Sequence, residues 1–546
     1  MEQFIENDQK LVEKYHKRMQ NGFLNIKNVQ KHFSIAFLSN LNIKILSINN
    51  CRNIIPILTC GTTTELNLIN CWFQDINGLC LENLEVLNLS ENKLSSLNVN
   101  KFQKLRQLDM SKNELTDISF LKDLSSTIFV KLQLKYNKIK DIQILTSINS
   151  IKELDISYNY GIDINYLKFM VQLTYLNIAR CGIQSFDVLK SLPNLEELDV
   201  SYNKNIDCKT LENQLKIIQF SAKGMKIENI NKLLLFSYLS ELNLSDNNDN
   251  NAIDQSIFQL SIQFTKLSFS NNNLNNISQI NLINIQYLDL SYNEGIDLTP
   301  LNIMARLKHL NIRFCKIKDL FAIKDLTNLE ELDIAYNRDI DISGLKMITK
   351  LVTLKCDNNN IQNIQVLKYL VCLKQLELAG NEICDITPLQ HLTKLTKLYI
   401  RDCVIVDISP LESLINLEQI DIARNQIIHI SSIMNIAKLA ELYINNNKIS
   451  CFKDIQDHLN FEQFIICGQY QPTSIEILLS NKMKLIFIKT TQLKEIRLKY
   501  NDMRIKCCYV KQKQSLQLQK LSICHTSLTN TVVSLFNSLS NFEQQQ

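Results

Sequence analysis

The sequence lacks the glycine, cysteine and histidine motifs that carry most enzyme chemistry. Its 546 residues include only ten glycines and six prolines, and no two glycines stand two apart. The Gly-x-Gly turn of dinucleotide-binding folds and a phosphate-cradling loop are therefore missing. None of the sixteen cysteines forms a Cys-x-x-Cys pair, and the seven histidines are isolated from one another, which argues against a zinc site. We expect no catalytic activity, no cofactor and no bound metal.

The sequence also lacks a strong charge imbalance and a long apolar run. Its 59 basic residues against 55 acidic ones give a net charge of +4, which is too small for strong attraction to nucleic acid. No apolar run approaches the roughly 18 residues that a membrane-spanning helix needs. These absences leave a binding or structural role as the main class of function.

What the sequence does contain is one pattern, Leu-x-x-Leu-x-Leu-x-x-Asn-x-Ile, which recurs twenty times at a spacing near 22 residues. A well-preserved copy begins at Leu84, reaches its ninth position at Asn92 and continues to Leu97. From position 293 to position 469 all eight intervals between ninth positions are 22 residues. A regular period of this length is typical of a solenoid of stacked coils.

Each copy of the pattern predicts one coil. Leu87 and Leu89 alternate with polar residues, as in one short strand of a parallel sheet, and later apolar positions turn inward on the return path. One coil cannot bury its own apolar edge, so neighbouring coils must stack into a continuous core. We expect the buried amide of the ninth-position Asn to bond open backbone groups of adjacent coils. The predicted fold class is an α/β solenoid, curved, with a concave parallel sheet and short helical or extended convex segments.

The repeats resemble those of leucine-rich repeat proteins, in particular the 22-residue class that includes protein phosphatase-1 regulatory subunits and the bacterial internalins. Three stretches carry this resemblance: Asp385–Leu389, Asp407–Leu411 and the Leu-Thr-Asn-Leu of Leu326–Leu329. The resemblance covers residues from about 43 to 469. It implies a leucine-rich repeat solenoid that binds a partner, and the class binds many unrelated partners.

Three regions are predicted along the chain. Residues 1–40 lack the repeat, and apolar residues spaced four apart from Leu11 to Met19 predict an N-terminal helical cap. The repeat array occupies residues 41–470. Residues 471–546 contain 11 Lys or Arg against 4 Asp or Glu, and we expect a basic C-terminal helical segment that docks on the last coil.

The array is irregular between residues 205 and 285. Lys223 is aligned with an Asn slot, the intervals there are 20, 24, 25 and 21, and the polar run Asn247–Asn251 interrupts a coil. Two interpretations are open: a hinge or partner-contacting loop, or a decayed repeat with a tolerated insertion. Segments 151–207 and 285–341, by contrast, look like two copies of one duplicated block, 134 residues apart.

Several cysteines occupy positions of the repeat. They replace the ninth-position Asn at Cys51, Cys71, Cys181, Cys315 and Cys403. This placement predicts buried, reduced thiols. The polar, acidic residues 1–8 also lack the apolar core of a signal peptide. We therefore expect a cytoplasmic protein.

The predicted concave face is acidic with an aromatic rim. The third, fifth and seventh positions of each copy are expected to point away from the core, with the eighth at the rim. The third is often Glu, the fifth Asp and the eighth Tyr. Two interpretations are open: a surface for a basic protein partner, or consensus residues inherited by duplication.

Tyrosines of the aromatic rim and departures from the consensus on this face supply the candidate residues. Bulky or cationic side chains there have no role in the core, so they indicate either contact with a partner or drift on a tolerant surface. The candidate partner-binding residues are Tyr158, Tyr175, Arg180, Tyr202, Tyr292, His309, Arg313, Phe314, Tyr336, Tyr399 and Arg401.

The sequence therefore favours a non-catalytic protein–protein interaction scaffold or regulatory subunit that binds a protein partner on its concave face. The alternative is an adaptor whose basic C-terminal segment engages an anionic membrane or nucleic acid, with nucleic acid disfavoured by the small net charge. An enzyme with a catalytic domain after residue 472 is disfavoured, because no acid–base pair is evident there. Binding by the basic segment should weaken steeply with salt, whereas binding by tyrosines should weaken much less.

Overall fold

The computed structural model describes most of the chain between residues 19 and 523. The side chains and backbone are described mainly in residues 19–27, 35–51, 58–124, 128–203, 216–225, 236–248, 264–277, 282–434 and 436–449. Several short strands outside these ranges are described by their backbone alone. The chain divides into two compact units, Met1–Asn272 and Asn273–Gln546.

In the first unit each coil contributes one short strand to a parallel sheet. Equivalent residues of neighbouring strands lie side by side, as Leu154 does with Leu176. The strands are Phe23–Lys27, Ile45–Asn49, Glu65–Ile69, Val86–Asn88, Gln107–Asp109, Lys131–Gln133, Glu153–Asp155, Tyr175–Asn177, Glu197–Asp199, Gln219–Ser221, Glu241–Asn243 and Lys266–Ser268. Short strand pairs follow at Phe33–Ser34 with Ile54–Ile55, Leu58–Thr59 with Leu79–Cys80, and Ile206–Asp207 with Ile227–Glu228.

The second unit repeats this arrangement with the same register, in which Leu332 lies beside Leu354. Its strands are Tyr287–Asp289, His309–Asn311, Glu331–Asp333, Thr353–Lys355, Gln375–Glu377, Lys397–Tyr399, Gln419–Asp421, Glu441–Tyr443, Gln463–Cys467, Leu485–Lys489 and Cys507–Lys511. A second, three-stranded parallel sheet contains Ser474–Leu479, Glu495–Tyr500 and Lys520–Ile523. The predicted leucine-rich repeat solenoid is confirmed.

Short 3-10 helices connect many of the strands. They are Ile35–Asn40, Ser119–Leu124, Gln143–Ser147, Ile164–Phe169 and Asp187–Ser191 in the first unit, and Thr299–Ile303, Phe321–Ile323, Ser343–Met347, Gln365–Tyr369, Thr387–His391 and Ser409–Ser413 in the second. One turn of α-helix covers Ser431–Met434. In the Asp-Ile-Thr-Pro-Leu stretch the Asp385 carboxylate accepts the N–H of Thr387 at 2.8 Å, and Pro388 fits the first turn of the helix.

The ninth-position asparagines bond adjacent coils to one another. Asn337 is fully buried. Its Nδ2 donates to the carbonyls of Ile312 and Ile334, at 2.8 and 2.9 Å, and its Oδ1 accepts the N–H groups of Cys315 and Ile317, at 2.9 and 3.0 Å. One side chain thus satisfies four backbone groups, as the sequence predicted.

Cysteine replaces only part of this network. Cys315 is fully buried, and its Sγ donates to the carbonyl of Leu290 at 3.2 Å. A thiol offers one weak donor where the amide offers two donors and an acceptor. The predicted burial of these cysteines is confirmed, and the described cysteines are free thiols.

The register of the irregular region differs from the prediction. The aligned strands pair Glu197 with Gln219 and Gln219 with Glu241, which are 22 residues apart each time. The ninth position is therefore Met225, whose N–H is bonded by Asn247 Oδ1, and the assignment of Lys223 was wrong. Met225 is buried at this ninth position, where its apolar side chain packs in the core. The coil therefore lacks the Asn by which the other copies are recognised.

Both predicted caps need correction where the structure describes them. Phe23–Lys27 is already a strand, paired in parallel with Ile45–Asn49, so the coils begin before residue 41. The helix predicted around Leu11 lies outside the described residues. Between 471 and 546 the described residues are strands rather than helices, and Leu485–Lys489 pairs with Cys507–Lys511 at the same 22-residue interval. The short continuous apolar run Leu485–Ile488, rich in residues that favour strands, explains the strand.

Candidate partner-binding face

The candidate surface is formed by third-, fifth- and eighth-position side chains of the coils, and we call it the sheet face. Seventh-position residues were predicted to point outward, but several of the small ones are buried. Ser157 and Ala335 are fully buried. Others, such as Ser111 and Ala379, are partly exposed, and so is the larger Arg313.

The fifth-position carboxylates bond the backbone of their own coil. Asp155 Oδ1 accepts the N–H of Ser157 at 2.9 Å, and Asp333 Oδ1 accepts the N–H of Ala335 at 3.0 Å. Burial raises the pKa of both aspartates. Asn at the fifth position forms the same bond, as Asn311 does with Arg313. The fifth-position acidic stripe therefore has a structural cause and is weaker support for a basic partner.

Some third-position glutamates are paired with Lys or His side chains of the same face. Glu153 lies 2.7 Å from Lys131 Nζ, and Glu331 lies 2.9 Å from His309 Nδ1. These are exposed or half-exposed pairs, which contribute little to stability. They do reduce the negative charge that the face offers to a partner.

The eighth position of each coil is held in the left-handed backbone region. Its φ is 58° at Tyr158, 55° at Arg180, 59° at Tyr292 and 55° at Phe314. Its N–H bonds the next coil, as that of Tyr158 does with the carbonyl of Ala179 at 2.7 Å. A bulky residue is uncommon at positive φ, so aromatic residues here are retained against a backbone cost.

In the first unit these side chains form a row that we call the first aromatic row: Tyr136, Tyr158, Arg180 and Tyr202. The rings of Tyr136 and Tyr158 stack with centroids 3.9 Å apart. The guanidinium carbon of Arg180 lies 5.5 Å from the ring centroid of Tyr158 and 6.0 Å from that of Tyr202. Tyr202 donates its hydroxyl to Asp246 at 3.2 Å. Four successive coils thus present one exposed strip of rings with a cation between them.

The second unit contains the second aromatic row: Tyr292, Phe314 and Tyr336. Ring centroids are 4.8 Å apart between Tyr292 and Phe314, and 4.3 Å apart between Phe314 and Tyr336. The planes are within 14° of parallel. Arg313 places its guanidinium carbon 4.3 Å from the Tyr336 centroid. Tyr292 stays 46% exposed in spite of the stack.

A shallow depression lies on the sheet face of the second unit. Its volume is about 200 Å³, and its lining includes Tyr287, His309, Glu331, Asp333, Thr353 and Lys355. The rings of Tyr287 and His309 lie 6.1 Å apart. Burial raises the pKa of Tyr287, helped by the charge of Asp289. The depression is large enough for one side chain of a partner.

The structure brings most of the predicted site residues into two groups. Tyr158, Arg180 and Tyr202 are in contact in the first row, and Tyr292, Arg313, Phe314 and Tyr336 are in contact in the second, with His309 in the depression. Tyr175 is half-buried in a strand, where burial raises its pKa to about 12.

Tyr399 and Arg401 belong to a coil outside these rows. Tyr399 donates its hydroxyl to Gln419 Oε1 at 2.8 Å, and Arg401 is exposed. Tyr136 belongs to the predicted aromatic rim but was not among the candidate residues, although it occupies the eighth position of its coil like Tyr158. The prediction missed Tyr287, a third-position tyrosine like the candidate Tyr175.

Two further features are absent from the described residues. No helix there is long and apolar enough to cross a membrane. No group of His, Cys, Asp or Glu side chains in the same residues is arranged to hold a metal ion.

Comparisons with known proteins agree with this architecture. The profile described as Leucine Rich repeats (2 copies) matches residues 171–213 and 305–347. The profile described as Leucine Rich Repeat matches residues 83–105. No curated protein matches the chain, and no catalytic family was found.

Solved structures of repeat proteins are similar to the chain. An internalin C2 from Listeria monocytogenes is 32% identical, over 35% of this chain and 84% of that one, with a TM-score of 0.33. The TLR13–ssRNA13 complex is 18% identical, over 92% of this chain and 80% of that one, with a TM-score of 0.57. At that identity the likeness to TLR13 shows the fold alone.

Proposed function

We propose that this chain, which belongs to the leucine-rich repeat proteins, is a non-catalytic scaffold or regulatory subunit that binds a protein partner on its sheet face. Such repeats generally serve as binding scaffolds. The observation that carries the proposal is the second aromatic row, in which three stacked rings at left-handed positions stay exposed or partly exposed. Nothing in the core requires rings there, since Asn358 and Gly380 occupy the same position in later coils.

The rows have the physical properties of an anchor for a partner. Aromatic side chains bury a large area and have few rotatable bonds, so they lose little entropy on binding. Stacking within the row fixes the rings before the partner arrives, which lowers that cost further. The depression beside Tyr287 and His309 offers a place for one partner side chain.

The chemistry of the partner follows from the charges of the face. A basic protein surface stays our prediction, but the fifth-position aspartates support it less than the sequence suggested, because they bond the backbone. The resemblance to phosphatase-1 regulatory subunits makes a phosphatase catalytic subunit one partner class to test. The buried, free ninth-position cysteines favour a reducing compartment, and we propose the cytoplasm.

The proposal is tested by capture of partners from native extract. The bait is the full-length chain or its Tyr292→Ala/Phe314→Ala/Tyr336→Ala variant, and bound proteins are identified by mass spectrometry at two salt concentrations. The matched control is Ile303→Ala/Met347→Ala/Tyr369→Ala, which removes three exposed apolar side chains from the 3-10 helices of the same unit. We expect one partner to be lost with the aromatic variant and kept with the control.

The alternative adaptor function is tested in the same experiment. Truncation at residue 471 would remove paired strands, so the basic segment is changed by Lys494→Gln/Arg497→Gln/Lys499→Gln instead. Loss of binding with this variant and with added salt, while the aromatic variant still binds, would contradict the sheet-face proposal. It would assign binding to the C-terminal segment.

A further inference from the structure

Most cations that lie on the sheet face are paired with carboxylates. Lys112 lies 2.6 Å from Glu91, Lys131 lies 2.7 Å from Glu153, and Arg424 lies 3.3 Å from Asp402. Arg180 and Arg313 differ from these. In the part of the chain that the structure describes, neither guanidinium forms an ion pair or a side-chain hydrogen bond, and each lies against aromatic rings instead.

Stacking prepares a guanidinium for one kind of ligand. A ring that covers the flat face of the cation holds its orientation and leaves the N–H donors at the edge. Two parallel N–H groups match the two oxygens of a carboxylate or a phosphate. The nearest carboxylate to consider is Asp333, because the positive charge of Arg313 partly offsets the increase that burial causes in the pKa of Asp333. The Oδ1 of Asp333, however, accepts the backbone N–H of Ala335. The edge of each guanidinium is thus available to an anionic group of a partner.

The arrangement occurs twice, in the two copies of the duplicated block. Tyr158 and Tyr202 correspond to Tyr292 and Tyr336, 134 residues later. The matches to the repeat family profile, at residues 171–213 and 305–347, have the same offset. The arginine moves from the eighth position in the first copy, Arg180, to the seventh in the second, Arg313. Its contact with row tyrosines is kept in both copies.

We infer that each unit carries one receptor for an oxyanion of a partner peptide, formed by Arg180 in the first aromatic row and by Arg313 beside the second. One chain therefore binds two anionic groups, either acidic side chains or phosphorylated ones. The inference rests on the proposed function for its claim that these rows face a partner. It adds the number of sites and a second ligand chemistry, since the two arginines contact anionic groups within a partner whose surface is otherwise basic.

The test uses defined peptides and the full-length chain. Acetyl-Gly-Gly-X-Gly-Gly-amide, with X as Glu, phosphoserine, phosphotyrosine or Lys, is titrated at low salt, and binding is followed by ligand-detected NMR. We expect at least one anionic peptide to bind and the lysine peptide not to bind. Arg180→Gln and Arg313→Gln should each remove about half of the bound peptide, and the double variant should weaken binding at least tenfold. The Glu and phosphopeptide arms identify the source of the oxyanion.

The control variant is Arg424→Gln, which removes an arginine of the same face that is already paired with Asp402. It should bind like the wild type, and thermal melting should show that all variants are folded. Equal binding of the lysine peptide, an unchanged double variant, or no binding by any peptide would overturn the inference. Peptide binding through both arginines without a captured partner would contradict only the proposed function.

Discussion

The carboxylate of Asp357 accepts the backbone N–H of Ala379, in the next coil, at 2.7 Å. In other coils the equivalent N–H is bonded by the fifth residue of the same coil, as Asp421 does for Ala423. The coil of Ala379 has Glu377 at its fifth position, and that carboxylate bonds Gln375 instead. Asp357 at the seventh position of the preceding coil therefore supplies the missing acceptor.

The burial of Asp357 predicts a pH dependence of stability, although the bond from Ala379 lowers the pKa of this carboxyl. Burial, reinforced by the charge of Glu377, raises the pKa of Asp357 from 3.8 to about 6. The folded state therefore holds the proton more tightly than the unfolded chain, and the contribution of Asp357 to stability is full below about pH 4 and is lost as the pH rises through about 6.

Asp357→Asn should reduce the fall in the free energy of unfolding between about pH 5 and pH 7, measured by urea denaturation. The control is Asp385→Asn. The pKa of Asp385 is lowered by bonds from Thr387, so its contribution changes only at more acidic pH. An Asp357→Asn variant with the slope of the wild type would refute the assignment.

Asn337→Ala should destabilise the second unit by about 2–4 kcal/mol, because four buried backbone groups lose their partner. Urea denaturation followed by circular dichroism measures the change. The control is Asn416→Ala, since the partly exposed Asn416 bonds only the carbonyl of Thr393 and the ammonium of the exposed Lys438, and a change within about 0.5 kcal/mol is expected. Equal effects of the two substitutions would show that burial of the amide is unimportant.

Phe314→Asn/Tyr336→Asn should separate binding from stability. Asparagine tolerates the left-handed backbone better than aromatic residues do, and Asn358 and Asn446 already occupy this position with φ of 56° and 57°. The relief of backbone strain should offset the lost stacking, so the free energy of unfolding should change by less than about 1 kcal/mol. Partner capture should be lost in the same variant. A binding-competent double variant would show that the row is not an anchor.

Buried and exposed cysteines should differ in reactivity. Burial raises the pKa of Cys181 and of Cys315 to about 12, whereas Cys80 and Cys384 are exposed. Alkylation by iodoacetamide near neutral pH, read by peptide mass spectrometry, should be at least tenfold faster at the exposed pair. In denaturant all four should react at similar rates. Rapid native labelling of Cys181 would contradict its position in the core.

The sequence was sufficient for the fold because the repeat makes burial periodic. The spacing of Leu87, Leu89 and Asn92 predicted the strand, the inward leucines and the bonding amide together. The prediction from the sequence failed where a ninth-position residue is not Asn although the coil keeps its backbone geometry. Met225, for example, is buried at a ninth position. The strands after residue 470 lack the Asn as well, so their basic residues gave a misleading helical prediction.

The candidate site was predictable only in part. An aromatic residue recurs at the eighth position of several copies, and this recurrence identified both rows. Contacts between side chains of different coils could not be predicted. Nothing in the sequence indicates that Arg313 contacts the ring of Tyr336 or that Arg180 lies between two tyrosines. The sequence also did not show that the fifth-position aspartates accept backbone hydrogen bonds. An aspartate that bonds its own backbone and one that contacts a partner are the same residue in a sequence.

The left-handed eighth position has a consequence for how such a protein changes over time. Its backbone is held by a bond between main-chain groups of adjacent coils, as from Arg180 to Ser201 at 2.8 Å. The side chain takes no part in that bond, and Tyr, Arg, Gly and Asp all occur there. The eighth-position residue of a coil can therefore be substituted without a change in the packing of the core. Specificity for a partner can therefore be acquired or lost one coil at a time. Because segments 151–207 and 285–341 resemble each other, one of them can change while the other keeps its contacts.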